Sequence, residues 1–138
     1  MTGKIALFAV TAIFSAFTLN AAELYVSKDT GKNSNAGTKD APFKNLQKAL
    51  DVAAAGDKIH VAAGNYFGLM DKGYLEMKKP VEIYGGYTAD FSSRSPLKNR
   101  TLVMPPASSN GTANSKGLLN IELSGEKNAN LVIDGIIF

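Results

Sequence analysis

The sequence predicts an all-β solenoid in which short strands stack coil on coil, and three observations carry that expectation. Apolar alternations only three to five residues long recur between Glu23 and Phe138, each bounded by Gly, Pro, Asn or Lys. A single amphipathic helical pattern interrupts them near Leu46–Ala53. No second helical pattern follows, which disfavours a sheet built with alternating crossover helices. The strands also recur at a near-constant step: Ile59 to Val81 is 22 residues and Val81 to Leu102 is 21. Such a step suits one coil of a parallel β-solenoid, with loop insertions at Tyr87–Lys98 and Pro105–Lys116. A β-sandwich also accommodates several short strands, and periodicity alone leaves it open.

The N-terminus reads as an export signal over residues 1–22. Lys4 supplies a basic start, Ile5–Leu19 is a near-continuous apolar run, and Ala21 and Ala22 offer small residues for cleavage. The run is short for a membrane span, which needs about 20 residues. Position −3 is imperfect either way: Leu19 for a cut after Ala21, Asn20 for a cut after Ala22. No Cys follows, which excludes a lipid anchor through a lipobox cysteine. The expected location is therefore secreted, periplasmic or cell-surface. Removing Lys4 from the 15 basic residues leaves 14 against 12 acidic ones, too small and dispersed an excess for nucleic acid. With no cysteine, disulfides cannot stabilise the exported chain.

Residues 23–57 are expected to form a strand, a polar loop and a capping helix. Glu23–Ser27 is the strand, and Lys28–Asp40 is the loop, turned by Gly31 and Gly37. Asp29, Asn33, Asn35 and Asp40 are oxygen-bearing, but their spacing lacks the acidic residue that closes an EF-hand loop, so a plain turn is favoured over calcium. Asn45 is placed to cap the helix. Leu46, Ala49, Leu50 and Ala53 make its apolar face, while Lys44, Gln47, Lys48 and Asp51 are left for solvent. Gly56 is placed to end the helix in the left-handed conformation. Residues 58–138 are then the first coils. Their inward sets are Ile59 and Val61; Leu75 and Met77; Val81 and Ile83; Leu102 and Met104; Leu119, Ile121 and Leu123; and Leu131 and Ile133. The strongly apolar Leu131–Phe138, with no polar cap after it, points to a longer protein of which this is the N-terminal part.

The stretch from Tyr25 to Gly68 resembles the N-terminal region of bacterial right-handed parallel β-helix proteins of the pectate-lyase-like superfamily. The resemblance rests on Tyr25–Val26, the loop Asn33–Gly37, Gly37–Thr38, Pro42–Phe43, Gly56–Asp57, Ile59–Val61 and Gly64–Asn65–Tyr66. A later segment with Gly85–Gly86–Tyr87, Asp90–Phe91, Arg94 and Pro96 is similar to a loop common in large secreted β-helix proteins. The resemblance implies a right-handed helix whose open end is covered by Phe43, Leu46 and Leu50. It implies lyases, glycoside hydrolases, epimerases and non-enzymatic surface proteins alike.

Outward strand faces are where enzymes of that resemblance carry their chemistry. His60, the sole histidine, falls outward with only Lys58 beside it and reads as a surface residue. Glu82, Glu122 and Asp134 fall outward on successive strands, where stacking could pair two of them as a glycosidase requires. Tyr84 and Tyr87 could stack on sugars but read as structural. Gly85–Gly86 reads as a turn with no phosphate-cradling helix after it. No catalytic or metal-binding residue is assigned, and no cofactor is evident, with calcium left open for a longer form. The expected function is that of a secreted β-helix protein directed at polysaccharide, of lyase or glycoside hydrolase type, with its active site beyond Phe138. The alternative is a non-catalytic surface β-helix of adhesin type.

Overall fold

The computed structural model describes residues 20–106, 117–123, 125 and 130–138. Most of the signal segment and most of the Pro105–Lys116 insertion lie outside the described residues. The elements are β1 (Glu23–Val26), α1 (Leu46–Val52), β2 (Lys58–Ala62), β3 (Gly64–Phe67), β4 (Leu75–Met77), β5 (Glu82–Tyr87), β6 (Thr101–Met104), β7 (Leu119–Ile121), β8 (Val132–Asp134) and β9 (Ile136–Ile137). They form three sheets ordered β1-β2-β5-β8, β3-β6-β9 and β4-β7. From β2 onward the chain visits the three sheets in turn and then revisits them in the same order. Every pairing between these strands is parallel. Hairpins join antiparallel strands, so this arrangement is consistent with a β-helix and not with the sandwich.

The strands stack by residue type. On the inner face of the first sheet, Leu24 lies beside Ile59, Ile59 beside Ile83 and Ile83 beside Ile133. Branched aliphatic side chains have few rotamers and fill a pleated surface, so like packs on like through successive strands. The rest of the core joins Val26, Val61, Tyr66, Leu75, Met77, Val81 and Val103 to the helix residues Leu46, Ala49 and Leu50. Tyr66 is buried with its hydroxyl satisfied: it donates to the Ala62 carbonyl at 3.0 Å and accepts from the Lys28 amide at 3.2 Å.

Several details differ from the expectation. The partner of Ile59 is Ile83, not Val81, and the next along is Ile133, not Leu102. Leu102 belongs to the second sheet, so the constant step linked strands of different sheets. In β6 the inward residues are Thr101 and Val103, whereas Met104 is exposed. The register sets this, because Val103 pairs with the buried Tyr66 on β3. Gly85 and Gly86 lie inside β5 rather than after it. Between His60–Tyr84 and Ala62–Tyr87 the register slips, which is a bulge. A Cβ on Gly85 would lie 2.3 Å from the carbonyl oxygen of Gly135, between β8 and β9, so the bulge admits no side chain there.

The helix also departs in two ways. Asn45 has an extended N-cap backbone but makes no side-chain cap bond; its amide instead donates to Asn33 Oδ1 at 3.0 Å, tying loop to helix. Asn35 likewise donates to the Pro42 carbonyl at 2.9 Å. The helix ends at Ala53 with an extended C-cap, and Gly56, at φ +88°, serves the following turn instead. Gln47, expected in solvent, is buried. Its Oε1 accepts from the Glu76 amide at 2.8 Å and its Nε2 donates to the Glu76 carbonyl at 3.1 Å. One side chain thus satisfies both polar groups that β4 presents at its open edge, where an unmatched strand would invite association. The open edge of β1 is treated similarly: the Tyr25 and Ser27 amides donate to the carbonyls of Gly37 and Phe43, and the Phe43 amide to Tyr25.

Candidate functional site

The outward face of the first sheet gathers nearly all of the sequence-derived candidates. Period-two alternation sends Glu23, Lys58 and Glu82 outward in one row, and Tyr25, His60, Tyr84 and Asp134 in the next. Parallel pairing at strand spacing of about 4.8 Å then stacks flat rings face to face. His60 lies 4.8 Å from Tyr25 at 22° and 6.3 Å from Tyr84 at 25°, centroid to centroid. Tyr87 meets it edge-on at 5.2 Å.

His60 is therefore not the lone surface histidine that its neighbours in sequence suggest. Its side chain is 13 % exposed, and Glu23 Oε2 lies 3.8 Å from Nε2. Nδ1 shares a 2.9 Å hydrogen bond with the Tyr87 hydroxyl. Burial lowers the pKa of the imidazole, Glu23 opposes that shift, and Lys58 and Arg94 reinforce it. Nε2 is buried and has no hydrogen-bond partner among the described residues.

The carboxylates are engaged as well. Glu82 accepts from the Tyr84 hydroxyl at 2.9 Å and lies 4.0 Å from Lys58 Nζ. Asp134 accepts from Arg94 Nη2 at 2.7 Å. Glu82 and Asp134 share the face in adjacent rows, whereas Glu122 follows β7 in the third sheet, where Asn120 donates to it at 2.7 Å. Three acids on successive strands thus divide between two sheets. Tyr84 and Tyr87 have Arg94 over their rings at 5.6 and 5.8 Å, which leaves less ring face for a sugar.

Sequence reasoning gives no site role to four members of this cluster: Glu23, Tyr25, Phe91 and Arg94. Phe91 is buried with a left-handed φ of 57°, a costly conformation for a bulky residue. The loop that holds it is organised by Asp90, whose Oδ1 accepts from Thr88 Oγ1 at 2.6 Å and from Ser92 Oγ at 2.8 Å. These bonds pull its pKa down to about 2. The ring packs edge-on against Tyr25 at 5.0 Å and closes one side of the aromatic stack. Arg94 donates from Nε to the Gly85 carbonyl at 2.9 Å, spanning bulge, rings and Asp134. Only the Asp90–Phe91 and Arg94 pattern hinted at this, without disclosing its partners.

A second feature lies at the N-terminal end of the second sheet. A cleft of about 280 Å³ is lined by Lys28, Lys44, Asn45, Asn65, Phe67 and Met70, among others. Lys28 Nζ is 5.5 Å from the Phe67 ring centroid, and Phe67 is exposed. Among the described residues, neither lysine has an ion-pair partner. Cations, amide donors and an aromatic ring are groups that suit a saccharide, above all an acidic one. Among the described residues no three His, Cys, Asp or Glu side chains converge to hold a metal, and no helix is long and apolar enough to cross a membrane.

Comparison with known proteins adds three findings. Residues 29–131 match a family described as a protein of unknown function, DUF1565. Over 66 residues, 48 % of the chain, the sequence is 42 % identical to pectate lyase PEL9 of Emericella nidulans. The chain spans only 15 % of that lyase's length. No solved structure matches.

Proposed function

This chain belongs to the DUF1565 family, which is found in β-helix proteins, and from that premise we propose that it is the N-terminal part of a secreted, right-handed, pectate-lyase-like β-helix protein directed at polysaccharide. The observation that carries this reading is the 42 % identity to a pectate lyase, in a chain whose strands revisit three parallel sheets in a fixed order. Residues 1–22 act as the export signal, 23–57 as strand, loop and capping helix, and 58–138 as coils of the helix. Bacterial origin is part of the same proposal.

Within this reading the described residues supply scaffold and saccharide contact rather than turnover. His60, Glu82 and Asp134 are occupied with Tyr87, Lys58, Tyr84 and Arg94, and a lyase or glycoside hydrolase needs groups free to meet substrate. That pairing also favours the second reading, a non-catalytic β-helix of a cell surface. The test is binding and turnover of polygalacturonate against a neutral glucan by the purified chain, with and without calcium. Binding through the Lys28–Phe67 cleft, weakened at least fivefold in Lys28→Ala and in Phe67→Ala, is expected, with no ultraviolet-absorbing unsaturated product. Product formation lost on His60→Ala would place chemistry on the first sheet. Absence of any saccharide binding would remove the polysaccharide reading.

A further inference from the structure

Resting on the export reading above, the structure also bears on where export cleavage falls. In sequence, cuts after Ala21 and after Ala22 are equally imperfect at −3. In the fold the two residues are not equivalent. Ala22 already belongs to the first sheet: its carbonyl accepts from the Lys58 amide at 2.9 Å, one step before the Glu23–Lys58 pairing begins. Its amide donates to Asp57 Oδ1 at 2.8 Å. Asp57 is only 8 % exposed, and its other oxygen accepts from the Ala54 amide at 2.8 Å, closing the turn after the helix. Among the described residues no Lys, Arg or His forms an ion pair with it. A covered carboxylate that has amide donors but no cation is left with uncompensated charge.

We infer that the export peptidase cuts between Ala21 and Ala22, and that the α-ammonium released at Ala22 becomes the charge partner of Asp57. In the hydrolysis, water adds across the Ala21–Ala22 peptide bond. The C–N bond breaks, Ala21 leaves with the new carboxylate, and the Ala22 nitrogen takes up protons as an ammonium. The nitrogen stands at hydrogen-bond distance from Asp57 before the cut, so no rearrangement is needed to form the pair. Cleavage after Ala22 would delete both the Asp57 donor and the Lys58 acceptor. Processing at Ala21 thus turns a hydrogen bond from a neutral amide to the Asp57 carboxylate into an ammonium–carboxylate ion pair at the first strand, so the mature chain is more stable than its precursor.

Terminal sequencing of exported material is expected to begin at Ala22. A start at Glu23 overturns the inference while leaving export intact; a start at Met1 overturns the export reading itself. An independent measurement compares the melting temperature of chains beginning at Ala22 and at Asn20. The free amine at Ala22 should raise it by about 2–5 °C, and Asp57→Asn should abolish that difference. Because Asp57→Asn also loosens the turn, N-acetylation of the Ala22 chain provides the second arm: it retains an N–H and removes the charge. It should melt with the Asn20 chain. Equal melting of the free and acetylated Ala22 chains overturns the ion pair.

Discussion

The two faces of the first sheet use the same strands, the same register and the same pleat for different ends. The inner row Leu24, Ile59, Ile83 and Ile133 has no polar side-chain atom, and its stabilisation comes from removing apolar area from water. That force is non-directional, so it tolerates volume-conserving exchange and punishes lost volume, overpacking or added charge. The outer rows Glu23, Lys58, Glu82 and Tyr25, His60, Tyr84, Asp134 are joined by directional bonds: Tyr25 to Glu23 at 2.9 Å, Tyr84 to Glu82 at 2.9 Å, Arg94 to Asp134 at 2.7 Å. Each outer contact is worth little in water, yet together they specify which loop lies where. The inner face makes the stack stable, and the outer face makes it particular.

The largest expected effect strikes the covered end of the interior. Leu50→Asp buries an unpaired carboxylate on the face of α1 that packs on the core, at a cost of several kcal/mol. Loss of the cooperative melting transition, with aggregation, is the expected result. A wild-type melting temperature would show that α1 does not seal the stack. Next, Ile83→Ala removes an almost fully buried side chain at the middle of the inner row, and should cost roughly 2–4 kcal/mol in urea unfolding. A loss below that of an outer-face truncation would reverse the ranking of the two faces.

On the outer face, Arg94→Ala removes a partly exposed ion pair and a cation over two rings, and should cost about 1 kcal/mol. Its sharper signature is local, because the Thr88–Ser93 loop should gain hydrogen exchange while the inner strands do not. The smallest effect is a pH dependence. Since His60 has a lowered pKa in the fold, the unfolded chain binds its proton more readily. Its contribution is fully present above the unfolded value of about 6.5 and is lost as pH falls below it. His60→Phe keeps a ring between Tyr25 and Tyr84 and removes the titration. The fall in melting temperature from pH 7.5 to 5.5 should therefore be shallower in the variant than in the wild type. Identical slopes would place the imidazole in water.

Local pattern determined a good deal by itself. The alternations around Ile59, Leu75 and Ile83 identified true strands, and the apolar face of Leu46, Ala49 and Leu50 identified the helix and the side it buries. These readings succeed because period two and period 3.6 follow from backbone geometry within a few residues. Which strands pair is another matter, since partners far apart in sequence are chosen by the path of the intervening loops. Hence alternation reads Ile83 and Ile133 correctly as inward but does not disclose that they pair, and it gives Leu102 a face that it does not occupy. The buried Gln47 depends on the Glu76 backbone, and the His60 stack depends on Tyr25, Tyr84 and a loop pinned by Asp90. A side chain's fate at such positions is set by what the fold brings beside it across tens of residues, and only the tertiary structure supplies those neighbours.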